Sequence, residues 1–183
     1  DLLSVSKVIR SGRIVQGEVV EKFENKVAKY IGVDGAVAMN TGTSALHLSL
    51  LAIGIKEGDY VAMPSFVCTA LLNAVRYVGA HPTLVDIDPE TYNIDIRDLK
   101  KRVKKSTKAI ILPHLFGLPA DIDEIVSLGI PVIEDCAQAI GAVYKGRKVG
   151  SFGKLSCFSF YATKVLSTGE GGMVVSDSKS LLK

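Results

Sequence analysis

The sequence predicts an α/β protein with a mostly parallel sheet that is covered by helices on both faces. Short apolar runs rich in Val and Ile recur along the chain, and stretches with helical apolar spacing lie between them. The apolar runs do not alternate with polar residues, as expected of strands that are buried on both faces. Buried strands that alternate with helices are typical of a parallel sheet between two helical layers.

Seven apolar runs are predicted to be strands. They cover residues 35–40, 59–64, 82–88, 108–114, 131–135, 154–161 and 171–176. The helical stretches are residues 1–12, 12–32, 43–54, 67–79 and 121–128. Asp121 is a candidate N-cap for the last of these helices. The long stretch 12–32 has an apolar stripe that fits either a partner subunit or the core.

Composition excludes several classes of protein. Of the 183 residues, 48% are hydrophobic and 22% are charged, and the net charge of +3 requires neither nucleic acid nor an acidic membrane as partner. No apolar run reaches the roughly 20 residues that cross a bilayer. Three cysteines without a C-x-x-C pair favour a reduced, cytoplasmic setting. The histidines form no H-E-x-x-H, so the spacing supports no metal site.

Polar residues follow several predicted strands, at the edge of the sheet where α/β proteins bind ligands. Gly42 and Thr43 open a helix, whose free N–H groups at residues 43–45 suit a phosphate. The alternative is an ordinary N-cap by Thr43. This glycine turn matches neither a Walker loop nor G-x-G-x-x-G.

A carboxylate and a lysine follow two other strands. Either Glu134 or Asp135 must point into the crevice, where a carboxylate needs a cation or several donors. Its alternative role is to cap the next loop. Lys164 is either a surface lysine or an amine that forms a Schiff base with a carbonyl. A phosphate site, an acid for a pyridine nitrogen and an imine-forming lysine together fit pyridoxal phosphate.

The sequence also resembles the front part of a known family, the DegT/DnrJ/EryC1/StrS sugar aminotransferases. These are a branch of the aspartate-aminotransferase-like (fold type I) enzymes that use pyridoxal phosphate. The resemblance rests on the order and spacing of blocks along nearly the whole chain. They are "SGRIVQGEVVEKFENKVAKYIGV", "NTGTSALHLSL", "PSFVCTALLNAV", "GAHPTLVDIDPETYNID", "HLFGLPADID", "VIEDCAQAIGA", "GSFG", "CFSFYATK" and "TGEGGMVV".

The resemblance implies a role for each matching site residue. Lys164 would hold the aldehyde of pyridoxal phosphate as an imine, and Asp135 would pair with its pyridine nitrogen. Gln138 would lie near the ring oxygen, and the Ser159 hydroxyl would bind the phosphate. The only catalytic residue expected is Lys164; no metal is expected.

Other matching positions conform to the family or depart from it. Gly42 and Thr43 would supply phosphate contacts from the helix N-terminus. Cys68 stands where the family commonly has an aromatic residue stacked on the cofactor ring. A cysteine side chain offers the ring a smaller contact surface, so the stacking is expected to be weaker. Ala162 replaces a frequent proline before the lysine, and Val165 replaces a frequent polar residue after it. Both departures are expected to loosen the lysine loop or to change the substrate pocket.

The resemblance further implies an activity and a setting. An amino group would move from glutamate to a nucleotide-linked keto sugar, for surface-glycan or antibiotic sugar biosynthesis in the cytoplasm. The relatives act as homodimers. Residues 1–183 would form the large pyridoxal-phosphate-binding domain, and the small C-terminal domain would lie outside this chain.

Three alternatives compete with this activity. A dehydratase branch of the same family has histidine in place of the imine lysine, and Lys164 argues against it. A module could keep the fold and bind the cofactor for regulation, without turnover. A dinucleotide-dependent dehydrogenase would require a glycine fingerprint after the first strand, which this sequence lacks.

Overall fold

The computed structural model describes all residues from Asp1 to Lys183. Its strands are β1 (Gly35–Met39), β2 (Tyr60–Pro64), β3 (His81–Val85), β4 (Thr107–Pro113), β5 (Val132–Asp135), β6 (Val143–Tyr144), β7 (Arg147–Lys148), β8 (Leu155–Ser159) and β9 (Gly172–Ser176). Its helices are α1 (Leu2–Ser11), α2 (Glu18–Ile31), α3 (Gly42–Ala52), α4 (Ala70–Tyr77), α5 (Ile96–Arg102) and α6 (Ile122–Val126), with a 3₁₀ turn at Leu115–Gly117.

Seven of the strands form one sheet in the order β1-β9-β8-β5-β4-β2-β3. The pairs β8–β5, β5–β4, β4–β2 and β2–β3 are parallel, whereas β9 runs antiparallel to both of its neighbours, β1 and β8. β6 and β7 form a separate hairpin. The predicted mostly parallel sheet is therefore confirmed, and the parallel strands end at one common edge.

Each face of the sheet carries its own apolar core. Along β4, Ile110 and Leu112 belong to the core under α2, α5 and α6, whereas Ile111 belongs to the core under α3 and α4. All three side chains are fully buried. This two-sided burial explains why the strand sequences are apolar throughout instead of alternating.

The predicted helix over residues 12–32 is wrong at its start. Gly12 ends α1 in the left-handed region with φ of 70°, and α2 begins only at Glu18, after Gly17. α2 then buries Val27 and Ile31 in the core, so its apolar stripe faces this chain's own sheet. None of the helices combines the length and the apolar character that crossing a bilayer requires.

The predicted N-cap of α6 is also only partly right. Asp121 occupies the position before the helix, but its side chain makes no capping hydrogen bond. Its backbone carbonyl accepts from the amide of Ile125 instead. The short α6 is held by the buried side chains of Ile122 and Ile125 rather than by a cap.

A fully buried carboxylate, Glu134, ties the centre of the sheet to the loop before β8. It lies in β5 and accepts five hydrogen bonds, of 2.7 to 3.2 Å. The donors are the amides of Gly150, Phe152 and Gly153, the hydroxyl of Ser156 and the ring of His114. Burial raises the pKa of Glu134, but the His114 hydrogen bond and the amides outweigh burial and leave the pKa below its usual range.

We expect Glu134→Gln to lower the free energy of unfolding by about 2–4 kcal/mol, since the amide cannot replace all five acceptor contacts. The measurement is denaturant unfolding followed by circular dichroism. The control is Glu124→Gln, whose ion pair with Lys100 is exposed. It should cost less than about 1 kcal/mol. Equal losses in the two variants would contradict the role given to Glu134.

Candidate active site

One cavity of about 260 Å³ opens at the carboxyl edge of the sheet. Twenty residues line it, and they include every site residue expected from the sequence. Those seven are Gly42, Thr43, Cys68, Asp135, Gln138, Ser159 and Lys164. They come from four segments, at or just after the ends of β1, β2, β5 and β8, so the sheet edge is what brings them together.

The helix N-terminus at this cavity differs in detail from the expectation. Thr41, not Thr43, is the N-cap of α3, and its Oγ1 accepts from the amide of Ser44 at 3.0 Å. The amide of Ala45 donates to the carbonyl of Thr41. The prediction that the amides of residues 43–45 are all free is therefore wrong for Ser44 and Ala45. The helix starts at Gly42, and Gly42 and Thr43 are its first residues at the cavity wall.

Gly42 is required because α3 packs directly on Ser159. A Cβ on Gly42 would lie 2.8 Å from the Cβ of Ser159, closer than real side chains approach. The Ser159 hydroxyl accepts a long hydrogen bond of 3.4 Å from the amide of Tyr161 and lines the cavity. The glycine thus brings a helix N-terminus and a hydroxyl to one wall, which is an arrangement suited to an anion.

Asp135 ends β5 with its side chain on the opposite face from Glu134. The residue is only 8% exposed, and its Oδ1 accepts from the amide of Ala137 at 3.0 Å. Its Oδ2 has no hydrogen-bond partner, and Asp135 lines the cavity. Burial raises the pKa of Asp135, against the opposing effects of the Ala137 amide, His114 and Lys164. A buried carboxylate with a vacant acceptor atom suits a cationic N–H group.

The other three residues offer free groups to the cavity. Gln138 uses its Oε1 to accept from the amide of Phe116 at 3.1 Å, which leaves its NH₂ group for another partner. Lys164 is half-buried, and its Nζ makes no ion pair or hydrogen bond within the chain. Cys68 is an exposed free thiol. Phe66, which lies near Cys68 in sequence, does not line the cavity and packs on Tyr92 instead.

His114 follows β4 at the same edge of the sheet and is a wall residue for which no role was expected from the sequence. It is fully buried, its Nδ1 accepts from the amide of Ala120 at 3.2 Å, and its Nε2 lies 3.0 Å from Glu134. His114, Glu134 and Cys136 bring their ligand atoms within 4.8 Å of one another. Both His114 nitrogens are occupied, and burial raises the pKa of the Cys136 thiol, so these atoms already serve the fold.

Three further wall residues have no role in the expectations from the sequence. Thr41 caps α3, and Tyr161 and Glu170 lie on the two arms of the loop that carries Lys164. Thr41 follows β1 and Tyr161 follows β8, so both are among the polar residues that the rule for the carboxyl ends of strands places at this edge. Glu170 precedes the antiparallel β9, where that rule does not apply.

The sheet topology defines a class of protein, the α/β fold of the pyridoxal-phosphate-dependent aminotransferases, which solved aminotransferase structures share. More specifically, the model of the DegT/DnrJ/EryC1/StrS aminotransferase family matches residues 1–183, and the chain belongs to that family. The expected fold class and family are thereby confirmed.

Two curated relatives show which enzymes the chain is similar to. The chain is 47% identical over 170 residues to the GDP-perosamine synthase of Escherichia coli O157:H7, covering 91% of this chain and 47% of the relative. It is 43% identical over 185 residues to the UDP-N-acetyl-3-dehydro-alpha-D-glucosamine 3-aminotransferase of Acidithiobacillus ferrooxidans, covering 98% of this chain and 50% of the relative.

A solved structure with the same fold is that of a dehydratase and not of an aminotransferase. The E. coli GDP-4-keto-6-deoxy-D-mannose-3-dehydratase with bound hydrated PLP superposes with a TM-score of 0.94 at 32% identity, covering 98% of this chain and 49% of the other. The chain therefore spans about half the length of the proteins that it matches.

Gly42→Ala is expected to lower the free energy of unfolding by about 1–3 kcal/mol, because the new methyl group would collide with Ser159. The measurement is denaturant unfolding. In a Ser159→Gly background, which removes the opposing Cβ, the same substitution should cost clearly less. An equal cost in both backgrounds would mean that the close approach of α3 to Ser159 does not require the glycine.

Asp135→Asn is expected to stabilise the chain at pH 7 and not at pH 3. Because the pKa of Asp135 is raised above its ordinary value of 3.8, its stabilising contribution is complete below that value and is lost as pH rises through the raised pKa. Asparagine stays neutral and avoids this loss. Unfolding measured at both pH values checks the sign.

The control for this pH dependence is Asp121→Asn, at an exposed carboxylate without a capping hydrogen bond. It should change the free energy of unfolding by less than about 0.5 kcal/mol at either pH. A stabilisation by Asp135→Asn that is the same at pH 3 and pH 7 would show that the ionisation of Asp135 is not its cause.

Proposed function

We propose that this chain is the cofactor-binding part of an aminotransferase that uses pyridoxal phosphate to move an amino group from glutamate to a nucleotide-linked keto sugar. The observation that carries the proposal is the single cavity, in which Lys164, Asp135 and the start of α3 meet. Family membership and the names of the relatives support the same activity.

The residues of the cavity fit each part of pyridoxal phosphate. The N-terminus of α3 and the Ser159 hydroxyl suit the phosphate, and the vacant Oδ2 of Asp135 suits a protonated pyridine nitrogen. The free amide group of Gln138 suits the ring oxygen, and Cys68 would contact the face of the ring. The partner-free Nζ of Lys164 suits the aldehyde.

When bound, pyridoxal phosphate supplies an electron sink for the substrate's carbon atom. Asp135 would support this by holding a proton on the ring nitrogen through its buried carboxylate. The Nζ of Lys164 would take the proton from the donor carbon that carries the amino group and deliver it to the aldehyde carbon of the cofactor. In the second half-reaction it would move a proton in the opposite direction, to the keto carbon of the sugar. The close packing of α3 on Ser159 would keep the phosphate end fixed while Lys164 moves.

We also propose the setting that the family resemblance implies. Residues 1–183 would be the large cofactor-binding domain of a cytoplasmic homodimer whose product enters surface-glycan or antibiotic sugar biosynthesis. The dehydratase alternative is less favoured, because the imine position is occupied by Lys164 and that branch has histidine. The regulatory alternative differs from the enzyme only in turnover and must be separated by experiment.

Incubation with pyridoxal phosphate followed by borohydride reduction is expected to add the cofactor covalently to Lys164. Peptide mass spectrometry would identify the modified lysine. Lys164→Ala should abolish the modification, whereas Lys154→Ala, at an exposed lysine outside the cavity, should leave it intact. Modification spread over surface lysines, without preference for Lys164, would refute the proposed cofactor site.

Addition of glutamate to the loaded protein separates the enzyme from the regulatory module. For the enzyme, 2-oxoglutarate should appear in about one equivalent per loaded site, because the amino group then resides on the cofactor. Quantification of 2-oxoglutarate by mass spectrometry is the measurement, with Lys164→Ala as the control. Retained cofactor without 2-oxoglutarate would favour the module without turnover.

A further inference from the structure

Three exposed aromatic side chains lie together beside the cavity. The ring centroids of Phe66 and Tyr92 are 5.7 Å apart, and those of Tyr92 and Phe116 are 6.3 Å apart. Phe66 is 50% exposed, Tyr92 45% and Phe116 70%. Tyr92 thus lies between the other two rings, and all three leave about half or more of their surface in water. Protein surfaces rarely expose contiguous apolar patches of this kind without a purpose. We call these three residues the aromatic platform.

The backbone holds two of these rings in conformations that aromatic residues rarely adopt. Tyr92 has φ of 60° and Phe116 has φ of 54°, both in the left-handed region. Only one other non-glycine residue of the chain has a positive φ. Such conformations persist where the surrounding structure fixes them, and they concentrate at ligand sites.

A buried asparagine fixes both rings at once. Asn93 follows Tyr92, and its side chain accepts from the amide of Leu115 at 3.0 Å and donates to the carbonyl of Leu118 at 3.0 Å. These two bonds clamp the turn that carries Phe116 on both sides. The position of the platform is therefore built into the fold before any ligand arrives, which reduces the cost of binding.

The platform is joined to the cavity but lies outside it. The Phe116 amide donates to Gln138, which lines the cavity, and Val67 and Leu115, the chain neighbours of Phe66 and Phe116, line it as well. The rings themselves are not part of the wall. The proposed cofactor and the reacting end of its substrate would occupy the cavity of about 260 Å³, so the rest of a large substrate would extend past its rim.

We propose that the aromatic platform binds the base of the nucleotide-linked sugar, by stacking of the base on the exposed rings. This inference rests on the proposed function, and it adds a binding subsite to it. The sugar must reach Lys164 inside the cavity, so the part of the substrate that lies over the external rings is the part remote from the reacting carbon. Any of the bases can stack on an aromatic side chain, because every base has a flat face whatever polar groups its edge carries.

A second copy of this chain is the competing occupant of the platform. Stable interfaces between protein chains bury about 800 Å² on each partner, which is more than three partly buried rings expose. The strained backbone and the direct hydrogen bond to a cavity residue favour a small ligand that continues out of the cavity. Self-association is therefore an outcome that the test must detect.

The test measures binding of GDP and UDP by calorimetry, with inorganic pyrophosphate as a probe that has charge but no base. The wild-type chain should bind GDP more tightly than pyrophosphate. Phe116→Leu, which keeps an apolar side chain, should weaken GDP binding by about tenfold and leave pyrophosphate unchanged. Tyr92→Phe, which keeps the ring, should bind GDP like the wild type, and so should Tyr77→Leu, at an exposed ring outside the site.

Other outcomes would overturn the inference. It fails if the wild type binds GDP and UDP no better than pyrophosphate, or if Phe116→Leu leaves both affinities unchanged. It also fails if Phe116→Leu only abolishes self-association in sedimentation experiments. Labelling of Lys164 by pyridoxal phosphate is measured on the same samples. Absent labelling with ring-dependent GDP binding would refute the proposed function alone, and intact labelling with ring-independent GDP binding would refute the platform alone.

Discussion

Two adjacent carboxylates at the end of the central strand β5 determine both the fold and the site. Because successive side chains of a strand point to opposite faces of the sheet, Glu134 and Asp135 lie in different environments. Glu134 faces the core and accepts five hydrogen bonds, whereas Asp135 faces the cavity and accepts one. Burial raises the pKa of both, but only Glu134 has enough donors to reverse the effect. One carboxylate is fully satisfied, and its neighbour is left able to bind.

The sequence was sufficient to predict the general fold and the meeting of the candidate site residues at one edge of the sheet. Buried strands without polar alternation required two helical layers, and the carboxyl edge of the resulting sheet collected Lys164, Asp135 and Gly42 without further information. These predictions depend on local patterns and on the general geometry of parallel sheets, which tolerate errors of a few residues at each boundary.

The sequence was insufficient where contacts between distant segments decide the outcome. The donors that surround Glu134 and the carbonyl and amide that hold Asn93 come from segments far along the chain, the latter 25 and 22 residues away. The N-cap of α3 is Thr41 and not Thr43, because the helix starts earlier than its apolar spacing indicates. Gly12 and Gly17 interrupt an otherwise continuous pattern of helical apolar spacing. The spacing alone does not reveal that the helix ends at the first glycine and begins again after the second.

The place of β9 in the sheet has a consequence for the order of assembly. β9 follows every other strand in the chain, yet it lies between β1 and β8 and pairs with both. During synthesis, β1 therefore has no neighbour in the sheet until residues 172–176 emerge, and its pairing is among the most distant in sequence. The segment that carries Lys164 joins β8 to β9, so its two ends are anchored only at that last step. The Lys164 side chain therefore reaches its place at the cavity only when β9 has joined the sheet, and the proposed imine could not form there earlier.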